Sequence, residues 1–504
     1  MLLWTSCFLL FVCLNRKWTV FEFTFKFSAW QEYILEPENI KQTNSPPVQK
    51  WGFHQTLTKR KPSNQNRMGS KRIVGLDLVK GIAILMMIIV HSVTQVIADY
   101  DGKVFFSVKD KIPLPILYCV VYPIMIIGLW GTVFTMITAI TTSLSAIRIM
   151  DNNPRAIFPY ILQRWLFLVL LRLGECLANA FLSKEADPYN NEHFTFPSIT
   201  FGGAATTLDS IGWSGLIAPF FVFCFYRRQL KSSIPWTIIL FSVLSYLLFA
   251  ISPFTTKFFA TISDFLARNQ MGLLAAVLGK ICYGRFKISQ TIPFTSIGTM
   301  YAFLLHQNQS VQFLTMLSSI YFVLGIGIFF VWLLIDKSFL DDLVSEDVPL
   351  PAQIVSFGCI CFMTFIHACF VDGDRSPEKK LKSRKRIRYL LRLSMLSLTV
   401  FCIGGWVGRQ LSLPWQAVFG PPCTHNPSVL KWNLWVCVAY TIFLLACWIL
   451  ISIVWEKKDF VGSMEHILGW VLSQMMGKKF EMNSRKFVYG PAMELEAGAN
   501  WGTE

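Results

Sequence analysis

The chain is 504 residues long, 53% hydrophobic, 15% aromatic and only 15% charged, where soluble domains carry roughly a quarter charged residues. Together with a mean hydropathy of +0.47, this excludes a disordered chain, a collagen-like fibre and an ordinary cytosolic enzyme. The net charge of +16 comes from 46 Lys and Arg against 30 Asp and Glu; in a chain of apolar runs it reads as the basic excess of cytoplasmic loops, and no nucleic-acid partner is expected.

Residues 1–67 differ in character from the rest of the chain. The apolar run over 2–14 is too short to span a bilayer, and its basic residues follow rather than precede it, unlike a secretory signal. A polar stretch, SPPVQKWGFHQTLTKRKPSNQNR, leads to Met68. Two readings stand at equal weight: a misassigned extension with the start at Met68, or a loosely ordered tail with an interfacial segment. The domain reading is therefore 1–67 as a poorly ordered extension, 68–476 as a transmembrane domain and 477–504 as a cytoplasmic tail.

From Ile73 on, apolar stretches near the 20-residue spanning length alternate with polar loops. Spans are expected near 73–98, 128–148, 157–181, 206–226, 234–253, 271–283, 311–335, 350–371, 389–411 and 430–455. The segment 271–283 is short, and 113–127 and 291–306 are apolar enough for re-entrant or extra helices. The fold class is all-α, a polytopic membrane helix bundle of about ten transmembrane helices. Basic residues Lys71/Arg72, Arg148/Arg155, Arg227/Arg228/Lys231, Arg285/Lys287, the run Lys379–Arg392 and Lys457/Lys458 are assigned to the cytoplasm. That assignment requires an odd number of crossings between 286 and 336. The location expected is the cell membrane. Thirteen cysteines show no metal-type CxxC spacing and lie mostly in apolar runs, so neither a disulfide framework nor a metal site is expected.

Ionisable side chains inside hydrocarbon cost about 2.5 kcal/mol or more, which makes each a functional candidate. The first span, RIVGLDLVKGIAILMMIIVHS, carries Asp77, Lys80 and His91. Asp77 and His91 share a helix face but stand about 21 Å apart along the axis. An interfacial cap and a snorkelling lysine explain Asp77 and Lys80 equally well. The third span holds Arg164, Arg172 and Glu175; Arg172 and Glu175 are spaced for an ion pair, and the arginines for tracking an anionic cofactor. His306 opens a polar island with Gln307 and Asn308, and His367 reads as a buried neutral histidine.

Four stretches carry a family resemblance. RIVGLDLVKGIAILMMIIVH, GLWGTVFTMITAITTSLSA, MLSLTVF and GSMEHIL resemble, in that order, segments of the heparan-alpha-glucosaminide N-acetyltransferase-like membrane proteins. The first segment is more distantly similar to the type-3 membrane acyltransferases. The resemblance covers Lys71 to Met476 and implies transfer of an acyl group, typically acetyl from cytoplasmic acyl-CoA, to a glycan or lipid-headgroup acceptor across the membrane. It places Asp77 and His91 in the catalytic role. Two departures stand out: Lys80 occupies the usual arginine position, and Gly462–His466 keeps the Gly and Glu of "GPLEW" but lacks its Pro and Trp.

The chemistry agrees with the residues. Acyl transfer needs a base or nucleophile, which a histidine supplies. Lys80, Arg164 and Arg172 suit coenzyme A phosphates, and His306 and Glu175 suit the acceptor. No cofactor is expected to be held permanently, acyl-CoA being a co-substrate; the bilayer is the other partner, and homo-oligomerisation is left open. Two alternatives remain: a proton-coupled transporter or flippase for an anionic solute, and a non-catalytic membrane scaffold.

Overall fold

The computed structural model describes residues 73–99, 104, 131–183, 205–226, 233–284, 286–335, 350–373, 377–425, 428–475 and 487–488. The expected extension 1–67, the segment 113–127, Lys71/Arg72, Arg227/Arg228/Lys231, Arg285 and most of 477–504 lie outside these.

Among the described residues the chain is helical apart from a two-stranded antiparallel hairpin, β1 (Cys423–His425) and β2 (Ser428–Leu430). The helices are α1 (Val74–His91, continued by a π-helical turn Ser92–Ile97), α2 (Gly131–Asn152), α3 (Ile157–Ser183), α4 (Thr207–Phe225), α5 (Ile234–Arg268), α6 (Gly272–Cys282), α7 (Ile288–His306), α8 (Val311–Ile335) and α9 (Leu350–Asp372). After these come α10 (Pro377–Arg386), α11 (Arg388–Met395), α12 (Ser397–Phe419), α13 (Leu434–Glu456) and α14 (Met464–Met475). Eight of them are long and apolar enough to cross a membrane, and α11 with α12, bent by 85°, would make a ninth. The protein is a multi-pass helical membrane protein. Phe158, Leu162, Trp165, Trp236, Phe254 and Leu334, each more than half exposed, form the outer apolar surface that lipid requires.

Contacts fix the helix directions. Gly131 at the start of α2 lies against Thr207 at the start of α4 and Phe286 just before α7. At the other end, Asp151 of α2 meets His306 of α7 and Tyr226, which follows α4. Helices α2, α4 and α7 therefore run parallel. Tyr301 packs on Phe365 and Phe294 on Phe357, so α9 runs with them, and α1 runs against α9 because the Gly75 N–H donates to Asp372 at 2.7 Å.

The segment 271–283 is corrected by this arrangement. Helix α6 has only 11 residues and folds back along α5, which extends to Arg268, well beyond the expected end at 253. Neither α6 nor α7 is among the helices long and apolar enough to cross a membrane, but α7 runs along α5, its first turn level with Thr256 (Thr256 Oγ1 to Ser289 Oγ, 2.8 Å) and its end reaching Thr237. Lys287 is consequently at the opposite end from Asp151 and Asp372, not with the other basic loops. Two helices, α7 and α8, follow before residue 336, where the basic-loop assignment needed an odd number.

Helix α7 is hard to see in the sequence because protein, not lipid, surrounds it. Nearly every residue from Ile288 to Leu304 is buried. Its small polar side chains bond sideways: Thr299 with Ser143 at 3.0 Å, Thr295 with Ser214 at 3.0 Å, Ser296 with the Phe241 carbonyl at 3.4 Å. Gly298 lets α2 approach so closely that a Cβ there would sit 2.7 Å from the Met136 carbonyl oxygen. Small and hydroxyl residues are what close helix packing inside a membrane bundle uses.

Candidate functional site

The sharp bend between α11 and α12 falls at Leu396, whose N–H bonds back three residues to Leu393 at 3.0 Å. Starting a new helix at Ser397 exposes N–H groups with no partner one turn earlier. Glu465 fills that vacancy from 66 residues away. Its Oε1 accepts the N–H of Leu398 at 2.5 Å and lies 3.4 Å from that of Thr399, while Oε2 accepts the Thr399 hydroxyl at 2.6 Å. The Thr399 Oγ1 in turn accepts the Met464 N–H at 2.9 Å. A carboxylate suits the positive end of a helix dipole. The Lys80 ammonium of α1 is the nearby cation that favours its charged form.

Burial nevertheless pushes the Glu465 carboxyl above its ordinary range; the Thr399 and backbone hydrogen bonds and Lys80 oppose the shift without cancelling it. The chain reaches this point through Gly462, at φ 83, a left-handed turn that glycine adopts freely. The stretches holding Thr399 and Glu465 thus bond to each other, and Lys80 of α1 acts on the Glu465 carboxylate through its charge without an ion pair. Glu465 is absent from the residues expected at the site, although its stretch carries part of the resemblance; nothing in a 12-residue amphipathic helix tells a solvated glutamate from a buried one.

His91 lies elsewhere. It is the last residue of α1, at the junction with the π-helical turn, a distortion common at functional sites. It borders a cavity of about 10 Å³ between α1, α12 and α13, with Met87, Ser92, Gly404, Gly405 and Trp448 among the lining residues; that is room for one water. Neither ring nitrogen has a hydrogen-bond partner among the described residues. Ser92 beside it shares a hydrogen bond with Thr441 at 3.0 Å. Lys80 and His91 stand about 16 Å apart along α1. Asp77 sits in the first turn of α1, the favourable place for a carboxylate.

The intramembrane arginines do not share one partner. Arg164 donates Nη2 to the Tyr160 hydroxyl at 2.8 Å, with its guanidinium 5.0 Å from that ring, and its buried Nε has no partner among the described residues. Arg172 reaches across to Asp209 of α4 at 3.5 Å, and Lys280 of α6 meets the same carboxylate at 3.2 Å. Asp209 and Lys280 are almost wholly enclosed. Asp209 is also the third residue of a capping box with Thr206, which is how the helix start places it. Sequence reading missed both: the Thr206–Asp209 spacing signals a helix start, and Lys280 is a lone charge in an apolar run. Glu175 lies on α3, with its side chain outside the described residues.

His306 Nε2 is 3.0 Å from Asp151 Oδ2, and Tyr226 donates to the same carboxylate, so the polar island closes the ends of α2, α4 and α7. His367 bonds the Met363 carbonyl of its own helix at 2.6 Å, in keeping with a structural histidine. Among the described residues no group of His, Cys, Asp or Glu is arranged to hold a metal ion.

No protein-family model, no curated protein and no solved structure matches this chain.

Proposed function

We propose that the protein is a membrane acyltransferase, passing an acetyl or similar acyl group from acyl-CoA to a glycan or lipid-headgroup acceptor on the other side of the membrane. The observation that carries the reading is the hydrogen-bonded pair Thr399–Glu465, brought together from segments 66 residues apart, with the Lys80 ammonium near enough to favour the charged carboxylate.

In this reading Lys80, steered by Glu465, receives the phosphates of the donor at the basic end of α1. An extended acyl-pantetheine arm then reaches toward His91, about 16 Å further along the same helix. His91 takes the proton from the acceptor hydroxyl or amine as that atom attacks the thioester carbonyl. The new carbon–oxygen or carbon–nitrogen bond forms, the carbon–sulfur bond breaks, and the imidazolium returns the proton to the departing thiolate. The His91 cavity must open between α1, α12 and α13 to admit the thioester, and the Gly404–Gly405 pair offers the least bulk there. Ten crossings, counting α7 and the bent α11–α12 pair, would leave both termini of the bundle on the cytoplasmic side of the cell membrane.

The test is turnover of radiolabelled acetyl-CoA by the full chain in nanodiscs, wild type against His91→Ala. Release of free CoA by the wild type alone supports the reading; no turnover by either removes acetyl-CoA as donor. The Lys280–Asp209–Arg172 cluster favours a second reading, a carrier for an anionic solute, which predicts proton-coupled anion uptake into proteoliposomes that Asp209→Asn abolishes.

A further inference from the structure

Eight of the 16 residues from Pro377 to Arg392 are Lys or Arg, and only Glu378 is acidic. This run begins a few residues after α9 ends at Asp372, where the chain leaves the membrane-spanning part of the fold. It is divided by the helix into two faces. Lys379, Lys382 and Arg386 recur at the spacing that stacks side chains on one stripe, and all three are exposed. Arg384 is turned the other way and donates to the Phe487 carbonyl at 2.9 Å. The next helix, α11, anchors the segment: Leu390, Leu391 and Leu393 are buried, Gly81 of α1 packs against the Leu390 carbonyl, and Arg392 pairs with Glu456 at 2.7 Å. Just past Glu456, Lys457 and Lys458 are also exposed.

We propose that the exposed stripe of α10, formed by Lys379, Lys382 and Arg386 and flanked by Lys385, is a docking surface for the anionic phospholipid headgroups of the adjoining leaflet. Charge complementarity and place decide the occupant. A cluster of this size directly beside a spanning helix faces the negative leaflet surface, within the Debye length over which such attraction acts. The α11 anchor holds the stripe there in a fixed position, so the headgroups meet a preformed site. The stripe itself carries only cations, which suit an anionic partner.

The test uses the full chain in detergent micelles, with native mass spectrometry counting bound dioctanoyl phosphatidylinositol bisphosphate and dioctanoyl phosphatidylcholine. The wild type retains the anionic lipid and not the zwitterionic one, and retention declines as ionic strength rises. The K379Q/K382Q/R386Q variant loses about tenfold or more in affinity, with an unchanged thermal transition because its three positions are exposed. The charge-conserving K379R/K382R variant keeps the binding. Equal retention by wild type and the triple Gln variant overturns the proposal. So does binding of a soluble acidic peptide at this stripe under conditions where the anionic lipid does not bind.

Discussion

Glu465 and Asp209 are both carboxylates inside the bundle, and their neighbours give them different work. Asp209 is clasped by Arg172 and Lys280 and ties three helices together. Removing its charge takes the shared anion from two largely buried cations, so Asp209→Asn is expected to lower stability by about 3 kcal/mol, the cost of breaking one side of a buried pair. A thermal-unfolding comparison in detergent reads this directly, and a loss under about 1 kcal/mol would mean that the cluster is not a stabilising pair. Glu465 has its pKa raised by burial above the ordinary value of 4.5. A carboxyl that binds its proton more tightly when folded contributes stability that is full below its unfolded pKa and is lost as pH rises through the folded one. The thermal midpoint of the wild type should therefore fall as pH climbs from about 4.5 upward, and the slope should flatten in Glu465→Gln. A slope that persists in that variant would assign the titration to another group.

At the scale of elements, close approach of helices sets where those side chains meet. Gly81 brings α1 against α11: a Cβ there would come 2.1 Å from the Leu390 carbonyl oxygen, which is backbone and cannot swing aside. Gly81→Ala should destabilise by about 1–3 kcal/mol, as overpacking does. Gly327→Ala in α8, with nothing within 4 Å of the new methyl, is the neutral comparison. Equal thermal midpoints for the two variants would contradict the packing account. The same scale explains what the sequence made legible. Lipid-facing helices such as α8 and α13 announce themselves by long apolar runs, whereas α7 hides behind Thr, Ser and Gly that face protein. The α11–α12 bend is invisible in the sequence because Leu396 carries no breaker, and the hydrogen bonds that complete it come from Glu465. Lys80 and His91 stand out as ionisable groups in apolar sequence, but their separation into two centres needs the surroundings of each.

Across the whole molecule, the proposed ten-crossing topology turns on α7. Parallel α2, α4 and α7 put Lys287 at the end opposite to Asp151, Tyr226 and Lys379. A cysteine placed at Tyr283, exposed at the same end as Lys287, should be labelled by an impermeant maleimide from outside intact cells, and one at Lys382 only after permeabilisation, each read above the native cysteines. Labelling of both from the same side would remove α7 as a crossing helix.

The central claim divides the acyl donor between two centres on one helix, with Lys80 for its phosphates and His91 for the chemistry. Steady-state kinetics of acetyl-CoA turnover by the full chain in nanodiscs, comparing Lys80→Gln with His91→Ala, test that division most directly. The account predicts that Lys80→Gln raises KM with kcat nearly intact, and that His91→Ala lowers kcat by about 100-fold or more. Turnover by His91→Ala at the wild-type rate would contradict it.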